Sequence, residues 1–148
     1  MRLSTHFSLD EFEVSETAAR LGIDNSVPAH MMGDVMYTAR ALEVVRQALG
    51  KNPIIITSGY RSPALNAAVG GAKTSQHMAG KAVDFIVPGF GRPIEVCRKI
   101  LESGIVFDQL IHEFGAWVHC SFVQSSARLH VLTVDRLGTR RGLHEARQ

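Results

Sequence analysis

Two segments of the sequence carry residues whose types and spacing could hold a metal ion. In SQHMAGKAVDF, residues 75 to 85, His77 and Asp84 are separated by seven positions, with Gly80 between them. The later segment WVHCSF carries His119. Two imidazoles and one carboxylate, with a fourth position open to water, form the ligand pattern of a catalytic zinc site. Zinc in such a site lowers the pKa of water toward neutrality, which favours hydrolysis.

These residues can meet only if their strands present the right faces. KAVDFIV and WVHCSF are both predicted strands, in which alternate side chains point to opposite faces. If the apolar positions of both strands pack on helices, Asp84 and His119 lie together on the other face. His77 precedes the first of these strands, and Gly80 allows the chain to bend toward the same place. The sequence therefore predicts that all three side chains converge.

Each of these residues also has a simpler interpretation. A single histidine on a strand is usually a hydrogen-bonded surface or core residue, and this is how we interpret His6, His30, His112, His130 and His144. Asp84 is harder to explain in this way, because burial of an unpaired carboxylate is costly. There is no HExxH motif, which excludes the standard helix-borne zinc protease site. Spacing alone leaves a metal site and a buried hydrogen-bonded pair both open.

The secondary structure predicted around these segments is α+β. Short helices are expected after Ser8, after Ser15 and after Ser62, a long core helix between Pro28 and Gly50, and another between Pro93 and Gly104. The predicted strands are PIIITS, KAVDFIV, DQLIHEF, WVHCSF and HVLTV. Helices come early and strands come late, with gaps of hairpin length. This order favours helices packed on a mostly antiparallel sheet.

Composition and charge limit the possible functions. The chain has 148 residues, 45% of them hydrophobic and 20% charged, which is typical of one globular domain. There is no apolar run of membrane-spanning length and no secretory signal in the acidic opening, so we expect a protein that is cytoplasmic at synthesis. Residues 135–148 carry the whole net charge of +2. We predict a single domain over residues 1–134, with no nucleic-acid-binding face, and a flexible basic tail over residues 135–148. Cys97 and Cys120 are predicted to be buried free thiols.

Beyond spacing, the motifs resemble a known family. SGYRSPALNAAVGGAKTSQHMAGKAVDF followed by WVHCSF resembles the M15 family of zinc peptidases, the D-Ala-D-Ala carboxypeptidase-like enzymes. Their metal motif, S-x-H-x-x-G-x-A-x-D with a later W-x-H, is matched by Ser75, His77, Gly80, Ala82, Asp84, Trp117 and His119. The opening HFSLDEFEVSETAARLGIDN resembles the small phage and prophage branch of the family. The resemblance covers nearly all of residues 4 to 123.

The resemblance implies a Hedgehog/DD-peptidase fold whose sheet carries one zinc ion, bound by His77, Asp84 and His119. It implies a metallopeptidase that hydrolyses the stem peptides of bacterial peptidoglycan, as a carboxypeptidase or as an endolysin-type endopeptidase. We expect the protein to be a monomer. We expect it to act on the cell wall, in a virion or a phage-infected host. Two alternatives remain: a zinc-containing module that binds the wall without cleaving it, and a structural part of a phage particle.

A hydrolase of this kind also needs a general base. Glu113 is the candidate, because a hairpin across FGA would bring it near His119. Many relatives have an acid three positions before the last histidine, where this sequence has Ala116. We therefore keep Asp108 as the alternative base, and Glu113 would then be an ordinary surface glutamate.

Two further residues are expected to contact the substrate. The resemblance implies that Arg61, in GYRSP, binds substrate and supports the carbonyl oxygen, and a guanidinium suits a carboxylate or an oxyanion. The alternative is an arginine bound to a helix end. Ser75 is expected either to hydrogen-bond the substrate or to fix the loop that carries His77, and the alternative is that it only stabilises a turn.

Overall fold

The computed structural model describes residues 1–148 and contains five α-helices and a sheet of six strands. The helices are α1 (Leu9–Glu13), α2 (Glu16–Leu21), α3 (Met32–Ala48), α4 (Pro63–Ala68) and α5 (Pro93–Glu102). The strands are β1 (Ile55–Ser58), β2 (Ala82–Ile86), β3 (Gln109–Glu113), β4 (Trp117–Ser121), β5 (His130–Asp135) and β6 (Gly138–Arg141). No helix has the combination of length and apolar character that crossing a membrane requires.

The sheet has the strand order β1-β2-β4-β3-β5-β6. All neighbouring strands are antiparallel except β3 and β5, which are parallel. The predicted α+β class with a mostly antiparallel sheet is therefore confirmed. Every predicted helix and strand is present, and β6 is an additional strand that the sequence analysis did not predict.

The hydrophobic core lies between the helices and one face of the sheet. On α3 the buried apolar residues recur at a spacing of three or four positions, which places them on one stripe; they are Val35, Ala39, Leu42 and Val45. From the strands, the core receives Val83, Phe85, Val118 and Cys120. Cys97 and Cys120 are both buried free thiols, as predicted, and burial raises the pKa of Cys97 to about 12.

Strand alternation determines which side chains lie on the face of the sheet opposite the core. Since Val83 and Phe85 point into the core, Asp84 between them points away from it. The same holds for His119 between Val118 and Cys120. In the antiparallel register, Asp84 lies directly opposite His119. The predicted convergence of these two residues on one face is therefore confirmed.

The carboxyl-terminal residues differ from the prediction. The predicted domain boundary after residue 134 falls inside β5, and Gly138–Arg141 pairs with β5 as the edge strand. The Asp135 side chain is only 1% exposed and accepts hydrogen bonds from the backbone N–H and the Nε of Arg147, at 2.9 and 3.0 Å. The arginines of this segment suggested a solvated tail, but two of them, Arg140 and Arg147, pair with the buried carboxylate of Asp135.

Asp135→Asn is expected to lower the melting temperature at pH 7. Hydrogen bonds from Arg147 hold the pKa of the Asp135 carboxyl well below its usual range. A carboxyl of this kind contributes stability above its unfolded pKa of about 3.9, and the contribution is lost as the pH falls toward the folded-state value. The difference in melting temperature between wild type and variant, measured from neutral to strongly acidic pH, should therefore shrink on acidification. The exposed Asp10, replaced by Asn, is the control, and an equally large effect there would contradict the prediction.

Candidate metal centre

The backbone around His77 is held by local hydrogen bonds. His77 lies in a short 3₁₀ helix, Gln76–Ala79, whose first N–H groups are partly satisfied by the Ser75 hydroxyl, which accepts from the N–H of His77 at 3.3 Å. Gly80 ends this helix with φ of 71°, a conformation that favours glycine. Its carbonyl accepts a hydrogen bond of 2.7 Å from the hydroxyl of Thr38 on α3. The bend at Gly80 leads directly into β2, as the sequence predicted.

The imidazole of His77 has a fixed orientation. Its Nδ1 lies 2.7 Å from the carbonyl oxygen of Gly59, so Nδ1 carries the hydrogen and donates it. The other ring nitrogen, Nε2, is left free to face Asp84. Gly59 itself sits against α1, where an added Cβ would lie 2.7 Å from the Cα of Phe12. Only glycine allows the loop after β1 to approach α1 closely enough for this arrangement.

The three candidate ligands come together across β2 and β4. Asp84 Oδ1 lies 3.3 Å from His77 Nε2 and 2.9 Å from His119 Nδ1. All three donor atoms lie within 4.8 Å of one another, and all three residues are buried. Two ligands bound to one tetrahedral zinc at 2.0–2.1 Å would lie about 3.3 Å apart. The spacing and the nitrogen and oxygen donors therefore suit zinc.

Asp84 is ionised in this arrangement. Burial alone would raise its pKa, but hydrogen bonds and charge from His119 and His77 outweigh burial and hold the pKa of Asp84 well below its usual range. A carboxylate in that state is ready to bind a cation.

Glu113 lies at the edge of the same site. It ends β3, and the Phe114–Ala116 turn leads into β4, so that Glu113 pairs with Trp117 as the predicted hairpin requires. Its Oε1 lies 4.0 Å from His119 Nδ1, and the side chain is 20% exposed. Burial, and then the negative charge of Asp84, raise the pKa of Glu113. The structure thus brings the candidate base next to the candidate ligands.

Arg61 also lies beside Asp84. Its backbone N–H donates to the carbonyl of His77 at 3.1 Å, which joins the loop after β1 to the 3₁₀ helix. The guanidinium Nη2 lies 3.6 Å from Asp84 Oδ2. Another guanidinium nitrogen, Nη1, donates to Asn66 Oδ1 at 3.2 Å. Asn66 was not among the predicted site residues, and its only signal in the sequence is that it is a polar residue within a short helix that is otherwise apolar.

The alternative base, Asp108, is occupied by other partners. Its carboxylate accepts hydrogen bonds from Arg128 through Nε and Nη2, and from Gln76 Nε2 at 2.8 Å. Among the histidines interpreted as ordinary residues, His112 is buried and its Nδ1 donates to the carbonyl of His144 at 2.9 Å. None of His6, His30, His112, His130 and His144 belongs to the cluster of candidate ligands.

Comparison with known proteins places the chain beside a peptidase family and one of its relatives. The sequence pattern of the family described as Peptidase M15 matches residues 5–121. The zinc D-Ala-D-Ala carboxypeptidase of Streptomyces albus G is 41% identical over 51 residues. That match covers 34% of this chain and 20% of the relative, so the chain corresponds to about a fifth of the relative's length.

Proposed function

This chain belongs to the Peptidase M15 family, and we propose that it is a zinc-dependent peptidase that hydrolyses peptide bonds in the stem peptides of bacterial peptidoglycan. The observation that carries the proposal is the convergence of His77, Asp84 and His119 beside Glu113. The three converging residues would hold one zinc ion per chain through Nε2, Oδ1 and Nδ1. The likeness to a zinc D-Ala-D-Ala carboxypeptidase supports the substrate class.

The reaction would divide between the metal and two side chains. Zinc bound at this site supplies Lewis acidity, which makes water a better nucleophile at neutral pH and polarises a carbonyl. Glu113 would accept a proton from the attacking water as its oxygen bonds to the peptide carbonyl carbon. When the carbon–nitrogen bond breaks, the same carboxyl would donate that proton to the leaving amine.

Arg61 would bind the substrate beside the metal. A guanidinium has five N–H donors, of which Ser58 and Asn66 accept two, so donors remain for a carbonyl oxygen or a carboxylate. The hydrogen bond between Ser75 and the N–H of His77 supports a role for Ser75 in fixing the His77 loop. The resemblance of the opening segment to the phage and prophage branch supports endolysin-type action on the cell wall.

Incubation with purified peptidoglycan is expected to release new amino termini. Mass spectrometry of the muropeptides would show which bond is cut, and release of free D-alanine would identify a carboxypeptidase. His77→Ala is the matched control and should release none. Sedimentation with the wall without cleavage would instead indicate a binding module. If the protein neither cleaves the wall nor sediments with it, a structural role would be indicated instead.

A further inference from the structure

We propose that Asn66 is a positioning residue for Arg61, and that Gly71 must lack a side chain because the Asn66 amide occupies that space. The inference rests on the proposed function, in which Arg61 contacts the substrate. It adds to that function a device that fixes the guanidinium before the substrate arrives.

The amide of Asn66 can point in only one direction. Asn66 lies on α4 and is 4% exposed. Its Nδ2 donates to the carbonyl of Ala72 at 2.9 Å, and its Oδ1 accepts from Arg61 Nη1 at 3.2 Å. If the amide were flipped, its NH₂ group would face the N–H donors of the guanidinium and its oxygen would face a carbonyl oxygen. Two donors or two acceptors that face each other repel, so both contacts would be unfavourable. The loop carbonyl therefore determines that the amide oxygen faces Arg61.

Each of the three guanidinium nitrogens of Arg61 has a neighbouring polar group. Nε donates to the Ser58 hydroxyl at 3.3 Å, Nη1 donates to Asn66, and Nη2 lies 3.6 Å from Asp84 Oδ2. Only 18% of the side chain is exposed. An arginine has many rotamers, and catalysis is sensitive to the placement of groups that contact the reacting atoms. Of the three holding groups, Asn66 is the one that is neutral, buried and fixed by a further hydrogen bond.

Gly71 shows how little space surrounds this amide. A Cβ at position 71 would lie 2.1 Å from Asn66 Oδ1 and 3.0 Å from Arg61 Nη1. Gly71 does not have a positive φ, so its backbone would accept alanine. The requirement for glycine therefore comes from the Asn66–Arg61 contact and not from backbone strain. Gly33, on α3, is a matched control, because an added Cβ there meets nothing within 4 Å.

The competing explanation is that Asn66 only stabilises the loop through Ala72. Asn66→Asp separates the two roles, because aspartate keeps an acceptor for Arg61 but loses the donor to the Ala72 carbonyl. Asn66→Ala loses both. If Asn66 positions Arg61, Asn66→Asp should keep the guanidinium of Arg61 in its wild-type position, although its melting temperature should be as low as that of Asn66→Ala. A purely structural role predicts that Asp and Ala behave alike in every measurement.

The first measurement needs neither zinc nor activity. In a ¹⁵N–¹H NMR spectrum of arginine Nε–H groups, the Arg61 signal can be assigned by its absence in Arg61→Lys. We expect a separate, slowly exchanging signal in the wild type, in Asn66→Asp and in Gly33→Ala. In Asn66→Ala and Gly71→Ala it should shift toward the position of solvent-exposed arginines and exchange faster with water, because Ser58 and Asp84 alone hold the guanidinium less firmly. An unchanged Arg61 signal in Asn66→Ala would overturn the proposal.

The second measurement is cleavage of peptidoglycan by the zinc-loaded protein. Asn66→Ala and Gly71→Ala should each lower kcat/KM by about 10- to 100-fold while zinc content stays unchanged. In an Arg61→Ala background, neither substitution should lower kcat/KM any further, because both act through Arg61. An equal loss with and without Arg61 would refute positioning. If the wild type itself cleaves nothing, the proposed function fails, and the NMR result alone decides whether Asn66 fixes Arg61.

Discussion

His77→Ala, Asp84→Ala and His119→Ala are each expected to lose the bound metal together with the activity. Each substitution leaves only two of the three protein donors, and a structural or catalytic zinc site normally needs at least three. Changing a group that merely supports a ligand costs about 10- to 100-fold in metal affinity or activity, so loss of a ligand should cost more. Elemental analysis of the purified proteins should find one zinc per wild-type chain and much less in each variant.

Controls and a chelator sharpen this test. His130→Ala removes an exposed histidine from β5 and should leave the zinc content unchanged. Because the candidate site joins β2, β4 and the 3₁₀ helix, bound metal should stabilise the fold. A chelator should therefore lower the melting temperature of the wild type but not that of the three variants. Full zinc content in any two of the variants would rule out the three-ligand assignment.

Strand alternation made part of this site predictable. Apolar residues at 83, 85, 118 and 120 leave only one face for Asp84 and His119, since a one-residue change of register would bury both in the core. The position of Glu113 followed from the short FGA turn, which fixes the hairpin register. In these cases local sequence determines geometry, because period and turn length act over a few residues.

Some of the remaining features depend on contacts between distant segments. The acceptor for His77 Nδ1 is a backbone carbonyl at Gly59, and no side-chain pattern marks such an acceptor. The contacts of Asn66 with Arg61 and Ala72 are local, but no motif marks an asparagine within a short helix as the partner of an arginine. The parallel pairing of β3 and β5 also joins separate segments of the chain. The edge strand β6 forms a local hairpin with β5 and was missed for a different reason. The sequence of β6, GTRR, has no apolar alternation to indicate a strand.

Glu113→Gln is expected to reduce turnover by about 10²- to 10⁴-fold, the usual contribution of general acid–base catalysis. Glutamine keeps the size and shape of the side chain, but it cannot accept the proton of the attacking water or return it to the leaving amine. The carboxylate lies 4.0 Å from His119 Nδ1 and is not one of the three candidate ligands, so zinc content should stay near one per chain. Comparison of kcat for zinc-loaded wild type and variant on the same peptidoglycan gives the effect.

Asp108→Asn distinguishes between the two candidate bases. Its carboxylate is already engaged by Arg128 and Gln76, and asparagine would keep an oxygen for these donors, so turnover of the zinc-loaded variant should stay near wild type. If Asp108→Asn abolished activity while Glu113→Gln remained close to wild type, the base would be Asp108. The zinc assignment would survive that result, because it depends on different atoms. Loss of zinc in Glu113→Gln would instead place Glu113 among the ligands, and the hydrolytic proton transfers would need another residue.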